Sequence, residues 1–489
     1  MPARDTGTQS LTTPGKTGIC IRAVPRKPHR APILYRTRVV ALRQRRRSVV
    51  APPGRDVRLA LPCRIEEKRL RTASRDETLQ PPVILLGGTA NALSVAWTLG
   101  RRGIAVYALA RSTAHIRYSR YSRWIPVPEN GDPQKGWLEY LMGDRAAGLQ
   151  GSVLLPCSDD GVELTARNRT QLAARFRLIE GKDDILLAML DKTATHELAS
   201  RAGVSAPAIW RARTLAEALA TAERVGYPFG LKPRYSHRLQ RFSTTKVFVI
   251  ASREQLCSVF EQLRTRGLEV LVTEIIPGAD DRLYSYYTYL DDHLEPLFHF
   301  TKRKFRQYPY GFGAGTYHMS DWNPEVARWG LRFLQGVGLS GFANVEFKHD
   351  PRDNQLKLIE CNPRFTLVHE MLQICGIDAS LLVYNRLTGR PLPAVGRYRR
   401  GVRVLLLRED YYSFKEAHAQ GTLSWARWLG SLLHRQHVLY FRWSDPWPAT
   451  VYAWWFLRAQ LRRLWRLIAR RNSGLAPGVP LTARRTPPS

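Results

Sequence analysis

The sequence predicts an α/β protein, and three stretches predict it. Pro82-Val83-Ile84-Leu85-Leu86 runs into Gly87-Gly88 and then Thr89-Ala90-Asn91-Ala92. A fully apolar run, a glycine turn and a helix make the first unit of a doubly wound parallel sheet. Gly103-Ile104-Ala105-Val106-Tyr107-Ala108-Leu109 reads as its second strand, and Val153-Leu154-Leu155-Pro156 as a later one that ends beside Asp159 and Asp160. Such sheets bind ligands at the carboxyl ends of their strands. Much further on, two β-rich runs, Phe342–Phe347 and Leu358–Arg364, carry charged side chains on an apolar background. A nicotinamide-binding turn is excluded, because Thr89 and Ala92 stand where G-x-G-x-x-G needs glycines.

The two late runs hold the chemistry. Alternate residues of a strand share a face, so Glu360, Asn362 and Arg364 point one way. If Glu346 lies on an antiparallel neighbour, its carboxylate joins them. Two carboxylates and an amide oxygen make a hard, oxygen-only set suited to Mg²⁺ shared with phosphates. An adjacent arginine can clasp a phosphoryl or carboxylate oxygen pair. The bland alternative is a solvated hairpin turning at Asp350–Asn354.

Glu-x-Asn-Pro-Arg after an apolar strand, with Asn344-x-Glu346 upstream, resembles the metal-binding signature of the ATP-grasp superfamily. The likeness is greatest to its carboxylate–amine ligase branch, related to biotin carboxylase, carbamoyl-phosphate synthetase and D-aspartate ligase. It spans about Val83 to Pro393. The resemblance implies that Glu346, Glu360 and Asn362 bind the metal. It implies that Lys192 and Lys232 (in Tyr227-Pro228-Phe229-Gly230-Leu231-Lys232-Pro233) hold the nucleotide phosphates. Val270–Gly278 corresponds to the adenine hinge, with Glu274 and Ile276 at the base and Asp281, beside Asp280, at the ribose. Lys304 and Arg306, ahead of the glycine loop Gly311–Thr316, line the γ-phosphate and acceptor side, and Arg364 acts in catalysis. One departure stands out. Many relatives close a glycine-rich loop over the phosphates, but Arg234 to Lys246 contains no glycine. Close backbone approach is lost there, although arginines and hydroxyls remain as donors.

The resemblance implies a doubly wound domain (81–186) and a two-part ATP-grasp core (187–395, its lid about 193–270), while composition and spacing add a disordered basic segment (1–80) and a helical extension (396–489). It implies an ATP- and Mg²⁺-dependent ligase, with Mn²⁺ as a substitute ion. A substrate carboxylate would become an acyl phosphate, and an amine would displace phosphate. A bicarbonate-using carboxylase and a non-catalytic ATP-binding protein are the alternatives. Identity of the carboxylate and amine is not legible.

Composition agrees with a globular chain: 44% of the 489 residues are apolar. No run reaches the roughly 20 apolar residues of a membrane span. The six cysteines are scattered without CxxC pairs, so a reducing cytoplasm is expected, and Cys361 should turn away from the metal face. The net charge of +34 gathers at the ends. Residues 1–80, rich in Arg and Pro, are expected to be a dispensable tail or the product of a start codon placed too early, without a secretory leader's apolar core. Residues 449–471 read as a basic amphipathic helix with tryptophans. That pattern suits either the protein's own core or an anionic membrane at the inner face, and no specific nucleic-acid fold is present.

Overall fold

Three sheets carry the structure, a computed structural model describing residues 80–472 apart from 128–131, 241–242 and 244. The side chains of 240, 463, 464 and 466–472 are outside that description, as are Cys20, Cys63 and nearly all of the segment expected to be disordered. All described residues lie in one compact unit.

The first sheet is parallel, in the order β3-β2-β1-β4-β5. Its strands are β1 (Val83–Leu86), β2 (Val106–Ala110), β3 (Arg123–Pro126), β4 (Val153–Pro156) and β5 (Arg177–Leu178). Val83 and Leu85 enter one core cluster with Trp97 and Leu99, while Ile84 and Leu86 enter another with Trp137 and Leu141. Burial on both faces is why these strands lack polar alternation. The order reverses between β1 and β4, so Gly87 and Cys157 flank the crevice where such sheets take ligands.

The second sheet, in the order β6-β9-β7-β8, forms the small subdomain: β6 (Ile209–Ala212), β7 (Phe229–Pro233), β8 (Phe248–Ile250) and β9 (Val270–Thr273). Helices Leu215–Val225 and Arg253–Arg264 cover it through Ala218, Ala222, Leu256, Phe260 and Leu263. Both start at a hydroxyl cap, Thr214 or Ser252, whose oxygen accepts from a first-turn amide.

The third sheet holds β10 (Leu283–Leu290), β11 (Phe300–Tyr308), β12 (Ala314–Asp321), β13 (Gly341–Asp350), β14 (Gln355–Asn362), β15 (Arg403–Leu405) and β16 (His437–Val438). Its order is β14-β13-β10-β11-β12-β15-β16. One face packs Tyr286, Val345, Phe347 and Cys361 against Val326, Phe333 and Leu334 of helix Pro324–Val337. Cys361 is therefore a core thiol, as its position in the alternation implied. On the opposite face Tyr287, Tyr289, Phe300 and Phe342 join the core of the first sheet, and a polar portion around Glu346 and Lys302 lines a cleft.

The C-terminal residues add β15 and β16 to this sheet before the final helix, Trp447–Asn472. Asp445 anchors that helix. Fully buried, it accepts from Trp97 Nε1 (2.8 Å), Ser119 Oγ (2.5 Å) and the Arg120 amide (3.2 Å). Among the described residues no helix is long and apolar enough to cross a membrane.

Candidate functional site

The polar portion of the third sheet is built by register. Glu346 of β13 pairs with Glu360 of β14, and Asn344 with Asn362. Directly opposed residues share a face, with Cβ atoms about 5 Å apart. Across β10, Ser285 stands opposite both Glu346 and Lys302, so Lys302 of β11 joins the same face. Lys304, two residues on, donates to Glu346 at 3.3 Å. Asn362 Nδ2 donates to Glu360 (3.1 Å) and Asn344 (3.4 Å), so its carbonyl oxygen is the atom left to face a ligand.

Two carboxylates side by side would repel, and the surrounding cations offset this. Burial alone would raise the Glu360 carboxyl, but Lys246, Lys192, the Asn362 amide and Lys304 hold it well below the usual carboxylate range. Among the described residues no group of three or more His, Cys, Asp and Glu side chains is placed to hold a metal. Glu346, Glu360 and the Asn362 carbonyl instead make an incomplete, oxygen-only set on one face. That set fits Mg²⁺ completing its shell with phosphates and water.

Two cavities meet at these glutamates. The narrower is lined by Lys192, Lys232, Glu274, Ile276, Gln307 and the Gly311–Gly313 loop, and reaches Glu346 and Glu360. Lys232 is buried at the end of β7, and Lys192 opens helix Lys192–Arg201, whose cap Asp191 is gripped by Arg234 (Nε, 2.8 Å). Burial, then the Lys192 charge, pulls the Lys232 ammonium down to about 7. Buried ammoniums that repel one another call for a polyanion between them. Glu274 accepts from the Ala208 amide (3.0 Å) and from Arg352 (2.5 Å), and the Ile276 carbonyl accepts from Lys348 Nζ (2.8 Å).

The wider cavity, about 630 Å³, lies between this face and the first sheet. Gly87, Gly88, Ser158 and Asp159 wall one side, and Lys302, His318, Glu346, Glu360 and Arg364 the other. Arg364 Nε donates to Asp159 Oδ1 at 2.5 Å, tying the first domain to the end of β14. Lys302 is only 2% exposed, and burial pulls its ammonium down to about 8. Its Nζ stands 3.2 Å from His318 Nδ1. An ammonium only donates, so Nδ1 accepts and the imidazole proton resides on Nε2. A side chain at Gly315 would put its Cβ 2.4 Å from that Nε2, so only glycine leaves room for the ring.

The structure thus gathers Lys192, Lys232, Glu274, Ile276, Lys304, Glu346, Glu360, Asn362 and Arg364 around one cleft. Two expected residues stand elsewhere. Arg306 does not face the cleft: the register of β11 on β12 shifts on both sides of it, breaking the alternation with Lys304. Its guanidinium instead forms a bidentate pair with fully buried Asp410 (2.7 and 2.8 Å). Asp281 also turns outward, pairing with Arg303 at 2.9 Å. Its neighbour Asp280 turns inward and accepts from Gln307 (2.7 Å), which lines the narrower cavity. Lys302 and the pairing of Asp159 with Arg364 are additions. Lys302 alternates with Lys304 and was readable from that spacing, whereas Asp159 meets Arg364 across 205 positions, beyond any local signal.

No known family profile matches the chain. Over 250 residues, 49% of the chain, it is 25% identical to a D-aspartate ligase of Enterococcus faecium (strain Aus0004), and the match spans 59% of that protein. Among solved structures, an L-amino acid ligase from Bacillus licheniformis superposes with a TM-score of 0.50 at 15% identity, covering 63% of this chain and 75% of that one. An N5-carboxyaminoimidazole synthetase from Staphylococcus aureus gives 0.51 at 15% identity, covering 69% and 84%. A biotin carboxylase from Campylobacter jejuni, solved as a β-γ-ATP complex, gives 0.51 at 15% identity, covering 66% and 74%. At these identities the structural likeness is one of fold.

Proposed function

From its ATP-grasp fold, we propose that the chain is an ATP-dependent carboxylate–amine ligase that forms an amide bond and releases ADP and phosphate. The observation that supports it most is the register pairing of Glu346 with Glu360 where the two cavities meet. A nucleotide in the narrower cavity would extend its terminal phosphate past these glutamates into the wider one.

In this reading Lys192 and Lys232 hold the phosphate chain as point charges. Glu274 and the backbone through Ile276 meet the adenine, and Asp280, through Gln307, is the acid nearer the nucleotide. Glu346, Glu360 and Asn362 would hold Mg²⁺, which supplies charge neutralisation at the β- and γ-phosphates when bound. Lys304 and Arg364 face the transferred phosphoryl group. They stabilise the acyl phosphate and the oxyanion formed when the amine attacks. Asp159 holds the Arg364 guanidinium in place, and Lys302 with the His318 Nε2–H receives the substrate's oxygens.

The names of the D-aspartate and L-amino acid ligases favour an amino acid as one substrate. Bicarbonate transfer is the second reading, carried by the likeness to biotin carboxylase. A cavity of about 630 Å³ is much larger than bicarbonate requires and favours a bulkier acceptor. The test is Mg²⁺-dependent ADP release with pooled amino acids and small carboxylates, Glu360→Gln alongside. Release that needs an acid–amine pair and vanishes in the variant supports the ligase. Release with bicarbonate alone supports the carboxylase, and ATP binding without release supports a non-catalytic protein.

A further inference from the structure

We propose that the helix Trp447–Asn472 docks its outer face on an anionic lipid surface. Its inner face is taken: Tyr452 is buried, Trp455 packs on His115 (4.9 Å between ring centroids), and Phe456 packs on Tyr411 and Tyr412. On a helix of 3.6 residues per turn, Trp447, Trp454, Leu457, Leu461 and Trp465 fall within an arc of roughly 80° on another side. All five are exposed, Leu461 by 46% and Trp465 by 72%. Among the described residues, this stripe of tryptophan and leucine is left uncovered.

Charge selects the occupant. Residues 458–471 include six arginines, and no Asp or Glu follows Asp445 anywhere in the chain. Arg458 and Arg462 border the apolar arc. A second copy docking there would bring like charge against like charge, whereas anionic headgroups complement it. The helix is too polar to span a bilayer, so it would lie in the interface with its apolar arc below the headgroups. Tyr452 stacks on Tyr440 at 4.7 Å, and Tyr440 lines the wider cavity. Docking through the outer face leaves these inner contacts in place and stands independently of the ligase reading.

The test is co-sedimentation of the full chain with vesicles of equal parts phosphatidylglycerol and phosphatidylcholine, against phosphatidylcholine alone. Binding should require the anionic lipid and weaken with salt. Trp454→Glu combined with Leu461→Glu should lower the partition coefficient by at least about a hundredfold, since each buried side chain contributes tenfold or more. Unchanged thermal unfolding of that variant would show the fold is spared. Binding that survives both substitutions is carried by other basic segments and overturns the proposal. So does equal binding to both vesicles, or a dimer in solution that the same substitutions dissolve.

Discussion

Glu346 and Glu360 face each other across the β13–β14 ladder, with Lys304 on one side and Asn362 on the other. Like charges held directly opposite are unfavourable in a sheet, so this pairing marks a site that expects a cation. Glu360→Gln should leave ATP binding without magnesium nearly intact and abolish its tightening by magnesium. ADP formation should fall by at least about a hundredfold. Calorimetric titration of ATP with and without Mg²⁺ checks the first expectation, and coupled ADP release the second.

Lys232 is a buried ammonium whose folded pKa lies at about 7, below its ordinary 10.5. Below about pH 7 both folded and unfolded chains carry the proton, and the cost of burying it is fully present. Between about 7 and 10.5 the unfolded chain binds more protons, so the unliganded protein gains stability with rising pH. Lys232→Met should therefore be the more stable unliganded protein at pH 6, with the gap closing towards pH 10. Saturating ATP should reverse the order at pH 7. Denaturant unfolding across pH, with and without ATP, reads both.

Asp159→Asn removes the partner that holds Arg364 between the first domain and β14. A partly buried guanidinium left with weaker hydrogen bonding should cost about 2 kcal/mol of stability. The rate of ADP formation should fall more than ATP affinity does. A double-mutant cycle with Arg364→Lys should show strong coupling, because both changes break one contact.

Arg306→Ala tests the corrected assignment. It strands the fully buried Asp410 carboxylate, which otherwise accepts from Arg306, Thr316 and Trp428. Stability should drop by about 3 kcal/mol. ADP formation per folded molecule should change little, since the side chain lies outside the cleft. Loss of turnover at full occupancy of the folded state would return Arg306 to the site.

What could be read from the chain was whatever depends on neighbouring residues. Period-two alternation put Glu360 and Asn362 on one face and Cys361 on the other, and continuous apolar runs marked strands buried on both sides. The final helix was legible from its spacing, within two residues of Trp447–Asn472. Tertiary structure decided the rest. A register shift in β11 turned Arg306 outward although Lys304, two residues away, faces the cleft. A single turn sent Asp280 inward and Asp281 to Arg303. Asp159 reached Arg364 only because the first sheet packs against the third. Covalent geometry propagates a face along a strand, but a bulge or a distant ion pair depends on which surfaces the fold presses together. A one-dimensional pattern therefore names the residues able to do the chemistry, and packing selects those that meet.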